Sequence, residues 1–265
     1  MKRFSFRYES SVTLSAPVTT HSWLLRALPR EEQFQHLEWD SLRVEASLPD
    51  GSTVEIPVSA GTDAFGSRIQ FGCIEPPHVR MTMIAEGAVS QSPYRIDAPA
   101  HGMYAAPTVL ASPSDEMIAF AQGLELDKSN SITDKALTIA NAVHSRMIYA
   151  PGSTRVETTA AQAFALGRGV CQDYAHITLA LMRHAGIAAR YVCGFLAGEG
   201  ATHAWVEYFD SGVWLALDPT HGRAVDYGCI KVAHGRDSSD CTVNRGIFTG
   251  CVQQKNSVSI KVEEL

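Results

Sequence analysis

Apolar and polar positions alternate through the first 110 residues. Phe4, Phe6 and Tyr8 alternate with Ser5 and Arg7, and Val12 and Leu14 keep the period of two. Leu42, Val44 and Ala46 alternate again, Pro49-Asp50-Gly51 marks a turn, and Thr53 to Val58 supplies a further strand. Ile69 to Ile74 and Val79 to Val89 predict two more. The one interruption is a short helical piece expected near Leu24 to Leu28. Short strands separated by turn signals predict a small β sandwich over 1–110. Pro93, Pro99, Pro107 and Pro113 then punctuate an irregular connection over 91–113.

The period changes after that. Ser114 reads as an N-cap with Asp115 and Glu116 in the first turn of a helix that ends near Gly123. Ser131 opens a second helix, in which Leu137, Ala140, Val143 and Met147 recur at helical spacing. Thr159 to Leu166 predicts a third, closed by Gly167. A fourth begins at Cys171, ends at Gly186 and carries Ile177, Leu181 and Ala185 on one stripe. Strands return at Ala189–Phe195, His203–Phe209 and Val213–Leu217. Asp210-Ser211-Gly212 joins the last two as a hairpin.

Composition narrows the classes. The 265 residues are 45% hydrophobic and 19% charged, a globular balance long enough to bury a core without disulfides. The net charge is −6, and neither 1–110 nor 111–265 has a basic excess, which argues against a nucleic-acid partner. Polar residues break the stretch after Lys2 and Arg3, and no apolar run could span a membrane, so the expectation is a cytoplasmic protein with no membrane partner. The six cysteines read as free thiols. Cys229, His234, Cys241 and Cys251 fit no zinc spacing, so no metal is expected.

Three features could carry chemistry. Gly167-Arg168-Gly169-Val170-Cys171 delivers a cysteine to a helix start, where the helix dipole favours thiolate over thiol. His203 begins a strand and could serve that thiol as base and acid. Asp218 ends the next strand of the same hairpin, so both fall at its open end, and a carboxylate there can orient the imidazole. Each alone has an ordinary reading: a buried cysteine, a hydrogen-bonded histidine, an Asp-Pro turn.

Taken in order, GVCQDYAH at 169–176, GIAARYVCGF at 186–195, HAWVEY at 203–208 and LDPT at 217–220 resemble the transglutaminase-like superfamily, in its bacterial cysteine-protease branch. VAHGRDSSD at 232–240, HSWLLRALP at 21–29 and DAFGSR at 63–68 extend the resemblance over nearly the whole chain. It implies an α+β, papain-like core in residues 111–265, with the cysteine-bearing helix packed on an antiparallel sheet, preceded by the β domain of 1–110. It implies Cys171 as nucleophile, His203 as base and acid, Asp218 as orienting carboxylate, and acyl transfer through a thioester with no cofactor. Hydrolysis of a peptide or isopeptide amide is the first expectation. Protein-glutamine crosslinking and a catalytically silent protein-binding module are the alternatives. Tyr149, Gln162, Gln172 and Trp205 are candidates for oxyanion or substrate contacts, beside the Cys171 backbone N–H. Arg68, Arg190, Arg223 and Arg236 could bind a carboxylate or form ion pairs. An exposed strand edge makes a homodimer conceivable. His221, Cys229 and Ser238 depart from the residues common in relatives.

Overall fold

A computed structural model describes residues 1–128, 131–198 and 200–265. Alternation is realised as strands that are longer than expected. Strands β1 (Lys2–Leu25), β2 (Gln35–Ser47), β3 (Thr53–Glu55), β4 (Ser59–Thr62), β5 (Arg68–Ile74) and β6 (His78–Gln91) belong to one curled antiparallel sheet. Its path is β3-β2-β6-β1-β5-β4. Leu24 and Leu25 finish β1 rather than start a helix, because they pair with Phe71 and Gln70 of β5. The polar punctuation of 91–113 conceals a two-residue strand, β7 (Ile96–Asp97), and a single 3-10 turn at Gly102–Tyr104.

The helices follow their local signals. Ser114, Ser131 and Thr159 cap α1 (Asp115–Gly123), α2 (Ile132–Arg146) and α3 (Ala160–Leu166) through their hydroxyls. Gly167 takes a φ of 67° to end α3, a conformation that suits glycine. Between them β8 (Ile148–Tyr149) pairs in parallel with β9 (Arg168–Gly169), which leads into α4 (Cys171–His184). The predicted stripe understates α4: every residue from Asp173 to Arg183 is buried. This helix packs on α1, α2 and α3 and also on the second sheet.

That sheet holds β10 (Ala189–Leu196), β11 (Thr202–Asp210), β12 (Val213–Asp218), β13 (Arg223–Ala224) and β14 (Cys229–Gly235), in the order β13-β12-β11-β10-β14, with β7 also on β12. Positive φ at Ser211 (49°) and Gly212 (93°) makes the β11–β12 connection a two-residue turn whose twist suits the hairpin.

The chain then returns to the first sheet. β15 (Asn244–Thr249) and β16 (Gln254–Glu264) both pair with β1. Residues 244–264 therefore lie with the N-terminal strands, whereas the sequence reading assigned everything after 110 to one unit. The alternation in β16 explains the pairing: Ile260 and Val262 are buried opposite Tyr8 and Phe6.

The two sheets share one core. Phe195 of β10 packs on the rings of Phe6 and Tyr8 at 5.8 Å each. Two buried glutamines act as substitute strand edge for β14. Gln35 binds both the N–H and the C=O of Lys231 at 2.9 Å, and Gln91 binds Gly228 N and Cys229 O. Nearby, the buried Glu207 carboxylate is bonded by Arg190, Lys231 and Tyr94. Burial raises its pKa, but these two cations outweigh it and hold Glu207 at about 2. A buried charge with this many partners is satisfied rather than reactive.

Candidate active site

The site is built where α4 starts against the open end of the β11–β12 hairpin. Cys171 is the first residue of α4 and is half-buried, so its thiol is reachable. Val170 at the N-cap has no side-chain acceptor, so its side chain occupies none of the first amides of the helix. The end is held by Asp173, whose Oδ2 accepts from Val170 N and from Thr154 Oγ1, both at 2.7 Å. Burial raises the Asp173 pKa, and these donors work against the rise. Gly169 is required by this arrangement: a Cβ there would lie 2.5 Å from Asp173 Oδ2.

Cys171 Sγ lies 4.0 Å from the carbonyl of Thr202, the residue before His203. The His203 ring is 4% exposed, and its Nε2 lies 2.9 Å from Asp218 Oδ2. That bond leaves Nδ1 for the thiol. Burial lowers the His203 pKa, yet hydrogen bonding and charge from Asp218 and Cys171 outweigh burial and raise it to about 9. Asp218 is fully buried. Burial would raise its pKa, but the bonds from His203 and His221 hold it below the usual carboxylate range. Thr220 N and His221 N donate to its other oxygen at 3.0 and 3.3 Å.

His221 is a feature sequence reading noted only as a departure. Its Nδ1 reaches Asp218 Oδ2 at 2.7 Å, the same oxygen that engages His203. A polar residue three positions after an aspartate in a turn was the only local signal. His203, Asp218 and His221 offer ligand atoms within 4.8 Å of one another. The carboxylate oxygen, however, is already hydrogen-bonded to both ring nitrogens, and this set reads as a relay of hydrogen bonds. The four residues weighed for zinc form no such group among the described residues.

The other candidates are distributed as follows. Gln172 Nε2 donates to Val156 O at 3.2 Å. Tyr149 is 51% exposed and pairs with Gly169, just ahead of Cys171. Gln162 is engaged at the start of α3, where its Oε1 accepts from Thr159 N at 2.9 Å. Trp205 is fully buried, so it does not touch substrate. Its ring stacks on His203 at 6.3 Å and its N–H donates to Tyr94 at 3.2 Å, which supports the imidazole from behind. The arginines read as carboxylate binders are in ion pairs: Arg68 with Asp40, Arg190 with Glu207 and Arg236 with Asp240. Arg223 lies at the edge of the sheet, paired in register with Asp218. All six cysteines are free. A large cavity of about 1050 Å³ lies in the first sheet, and none of Cys171, His203 and Asp218 lines it. Among the described residues no helix is long and apolar enough to cross a membrane.

With this geometry in place, similarity to known proteins becomes informative. Residues 118–219 match the transglutaminase-like superfamily. A Mycobacterium leprae protein named only as uncharacterized is 34% identical over 140 residues, 49% of this chain and 50% of that protein. The chain thus matches half the length of that relative. A Mycobacterium tuberculosis protein, also named as uncharacterized, is 29% identical over 275 residues, 88% of this chain and 84% of its own length. A crystal structure from Cytophaga hutchinsonii, proposed to be a cysteine protease, superposes with a TM-score of 0.81 at 22% identity. It covers 100% of this chain and 91% of that one, and at this identity it speaks to the fold.

Proposed function

We propose that this chain, a member of the transglutaminase-like superfamily, is a cysteine-dependent acyl-transfer enzyme that hydrolyses peptide or isopeptide amides of protein substrates. The observation that carries the reading is the His203 imidazole, bonded through Nε2 to a buried carboxylate, beside a half-buried thiol at a helix N-terminus. In this reading Cys171 transfers its proton to His203, and the imidazolium is stabilised by Asp218.

The thiolate attacks the amide carbonyl. A C–S bond forms, and the oxyanion is met by the Cys171 N–H at the helix start. His203 then gives its proton to the departing nitrogen as the C–N bond breaks, leaving a thioester. Water attacks that thioester with His203 as base, the C–S bond breaks, and the carboxylic acid leaves. Each proton that His203 takes is returned, so the cycle closes without a cofactor.

The test is the pH dependence of iodoacetamide alkylation at Cys171, followed by peptide mass spectrometry with the other five cysteines as internal controls. Alkylation is expected to stay fast well below the ordinary free-thiol pKa of about 8.5 and to lose that advantage in His203→Ala. A Cys171 profile like that of exposed Cys73, unchanged by the substitution, overturns the reading and favours a binding module on the same fold.

A further inference from the structure

The acyl-transfer steps assign nothing to His221, yet the chain is built to deliver it. The turn after β12 winds around Asp218, whose Oδ1 accepts from Thr220 N and His221 N at 3.0 and 3.3 Å. Gly222, at a φ of 62°, then sends the chain back so that Arg223 pairs with Asp218. His144 of α2 holds the turn from outside. Its Nδ1 donates to Thr220 O at 3.0 Å, and a Cβ on Gly222 would lie 2.9 Å from its ring. The backbone of His221 is thus fixed by α2 and by β13, and its side chain folds back to the other oxygen of Asp218.

One carboxylate oxygen therefore faces two imidazoles. Asp218 Oδ2 lies 2.9 Å from His203 Nε2 and 2.7 Å from His221 Nδ1, and the two rings are 5.3 Å apart. Burial opposes the charge on Asp218, and the bonds from both histidines keep it ionised. An ionised carboxylate only accepts, so both ring nitrogens carry hydrogen. With the two backbone donors, the four acceptor positions of Asp218 are filled. A donor that stabilises a carboxylate makes it a weaker partner for any other proton. The other titratable groups around the turn are His144 on Thr220, Arg223 in register with Asp218, and Cys229, whose thiol burial and the Asp218 charge push up to about 12. Cys171 faces His203 from α4. Among the described residues only His203 and His221 bond to Oδ2.

We infer that His221 is a positioning residue of the acyl-transfer site: by sharing the Asp218 oxygen, it limits how tightly the carboxylate grips the His203 imidazolium, so that His203 releases its proton to the departing nitrogen. The inference rests on the acyl-transfer reading, which supplies the step in which that proton must leave. His221 itself neither gains nor loses a proton in the cycle. It acts only through Asp218.

The experiment follows the His203 ring by NMR in the full-length protein, with isotope-labelled histidine and EDTA in the buffer. The His203 signal is the one lost in His203→Ala. His221→Leu puts carbon where Nδ1 stands, removing the N–H while keeping water out. The midpoint of the His203 titration is expected to rise by roughly one pH unit. His221→Met, which also lacks an N–H, is measured in parallel, so the comparison survives if one variant fails to fold. His221→Asn returns an N–H at the same number of bonds from the backbone and is expected to restore the midpoint. In the Leu and Met variants, fast iodoacetamide alkylation of Cys171 is expected to begin at lower pH, because a tighter imidazolium draws the thiol proton more completely.

A midpoint that is unchanged or lowered in the Leu and Met variants overturns the inference. So does a His221→Asn midpoint that moves as far as theirs, because His221 would then matter only for its shape. Alkylation of Cys171 in the unsubstituted protein that is indifferent to His203→Ala would instead overturn the underlying acyl-transfer reading, whatever the His203 titration shows. The two failures are thereby distinct.

Discussion

At the scale of single residues, the start of α4 depends on groups too small or too buried to look catalytic. Gly169 is the clearest. An added methyl would sit 2.6 Å from Asp173 Cβ and 2.5 Å from its Oδ2, so the carboxylate must abandon Val170 N. Gly169→Ala is expected to cost about 1–3 kcal/mol, the range for overpacking a tight site. It is also expected to slow Cys171 alkylation, because the cap that orients the helix start is displaced. Urea denaturation and alkylation kinetics on the same sample check both halves, and a variant with unchanged stability would contradict the close approach. His221 matters at this scale too. It shares an acceptor oxygen with His203, so the orientation of Asp218 is set from two directions.

At the scale of elements, the last strand completes the first sheet. β16 pairs with β1 from Phe4 to Leu14, and β15 continues the pairing from Thr19 to Leu25. A polypeptide of residues 111–265 alone would leave both strands without their partner. It would also expose Phe195 where Phe6 and Tyr8 pack, and would strip Gln35 and Gln91 from β14. Such a fragment is expected to lack a cooperative thermal transition, and circular dichroism with one-dimensional NMR would show it. A cooperative transition would mean that the shared core contributes little to the stability of the part that carries Cys171, His203 and Asp218.

At the scale of the whole molecule, buried histidines set the pH range of stability. His203 has a raised pKa of about 9 in the folded protein against about 6.5 when unfolded. The native state then binds the extra proton, and this stabilisation is complete below about 6.5 and lost as pH rises through about 9. At about 1.4 kcal/mol per unit, the effect is at most about 3.5 kcal/mol. His21 and His176 act oppositely. Burial lowers each to about 4, the unfolded chain binds their protons first, and stability falls as pH drops from about 6.5 toward 4. Stability is therefore expected to be greatest near pH 6.5. Urea midpoints from pH 4 to pH 10 would test this, and His203→Ala should flatten the alkaline side alone. An alkaline decline that is equally steep in that variant would assign the effect elsewhere.

The sequence by itself determined the features that act over a few residues. Ser114, Ser131, Thr159 and Gly167 bound their helices because hydroxyl caps and a left-handed glycine are local physics. Alternation identified the strands near 4–14, 42–46, 69–89 and 189–217, and a two-residue turn put His203 and Asp218 at one end of a hairpin. Cys171, His203 and Asp218 were legible because type, order and spacing coincided. Tertiary structure alone decided what depends on partners distant in the chain. The β1–β16 pairing joins residues some 250 positions apart, and alternation does not say which strand a strand will meet. Trp205 was a candidate substrate contact with packing in the sheet as its ordinary reading, and the fold buries it against His203. Gln35 and Gln91 looked like ordinary polar residues, since their role exists only where β14 offers its backbone. The exposure of Tyr149 and Val156 was likewise invisible in one dimension. Exposure is a property of the folded surface, and hydrophobicity along the chain normally predicts burial.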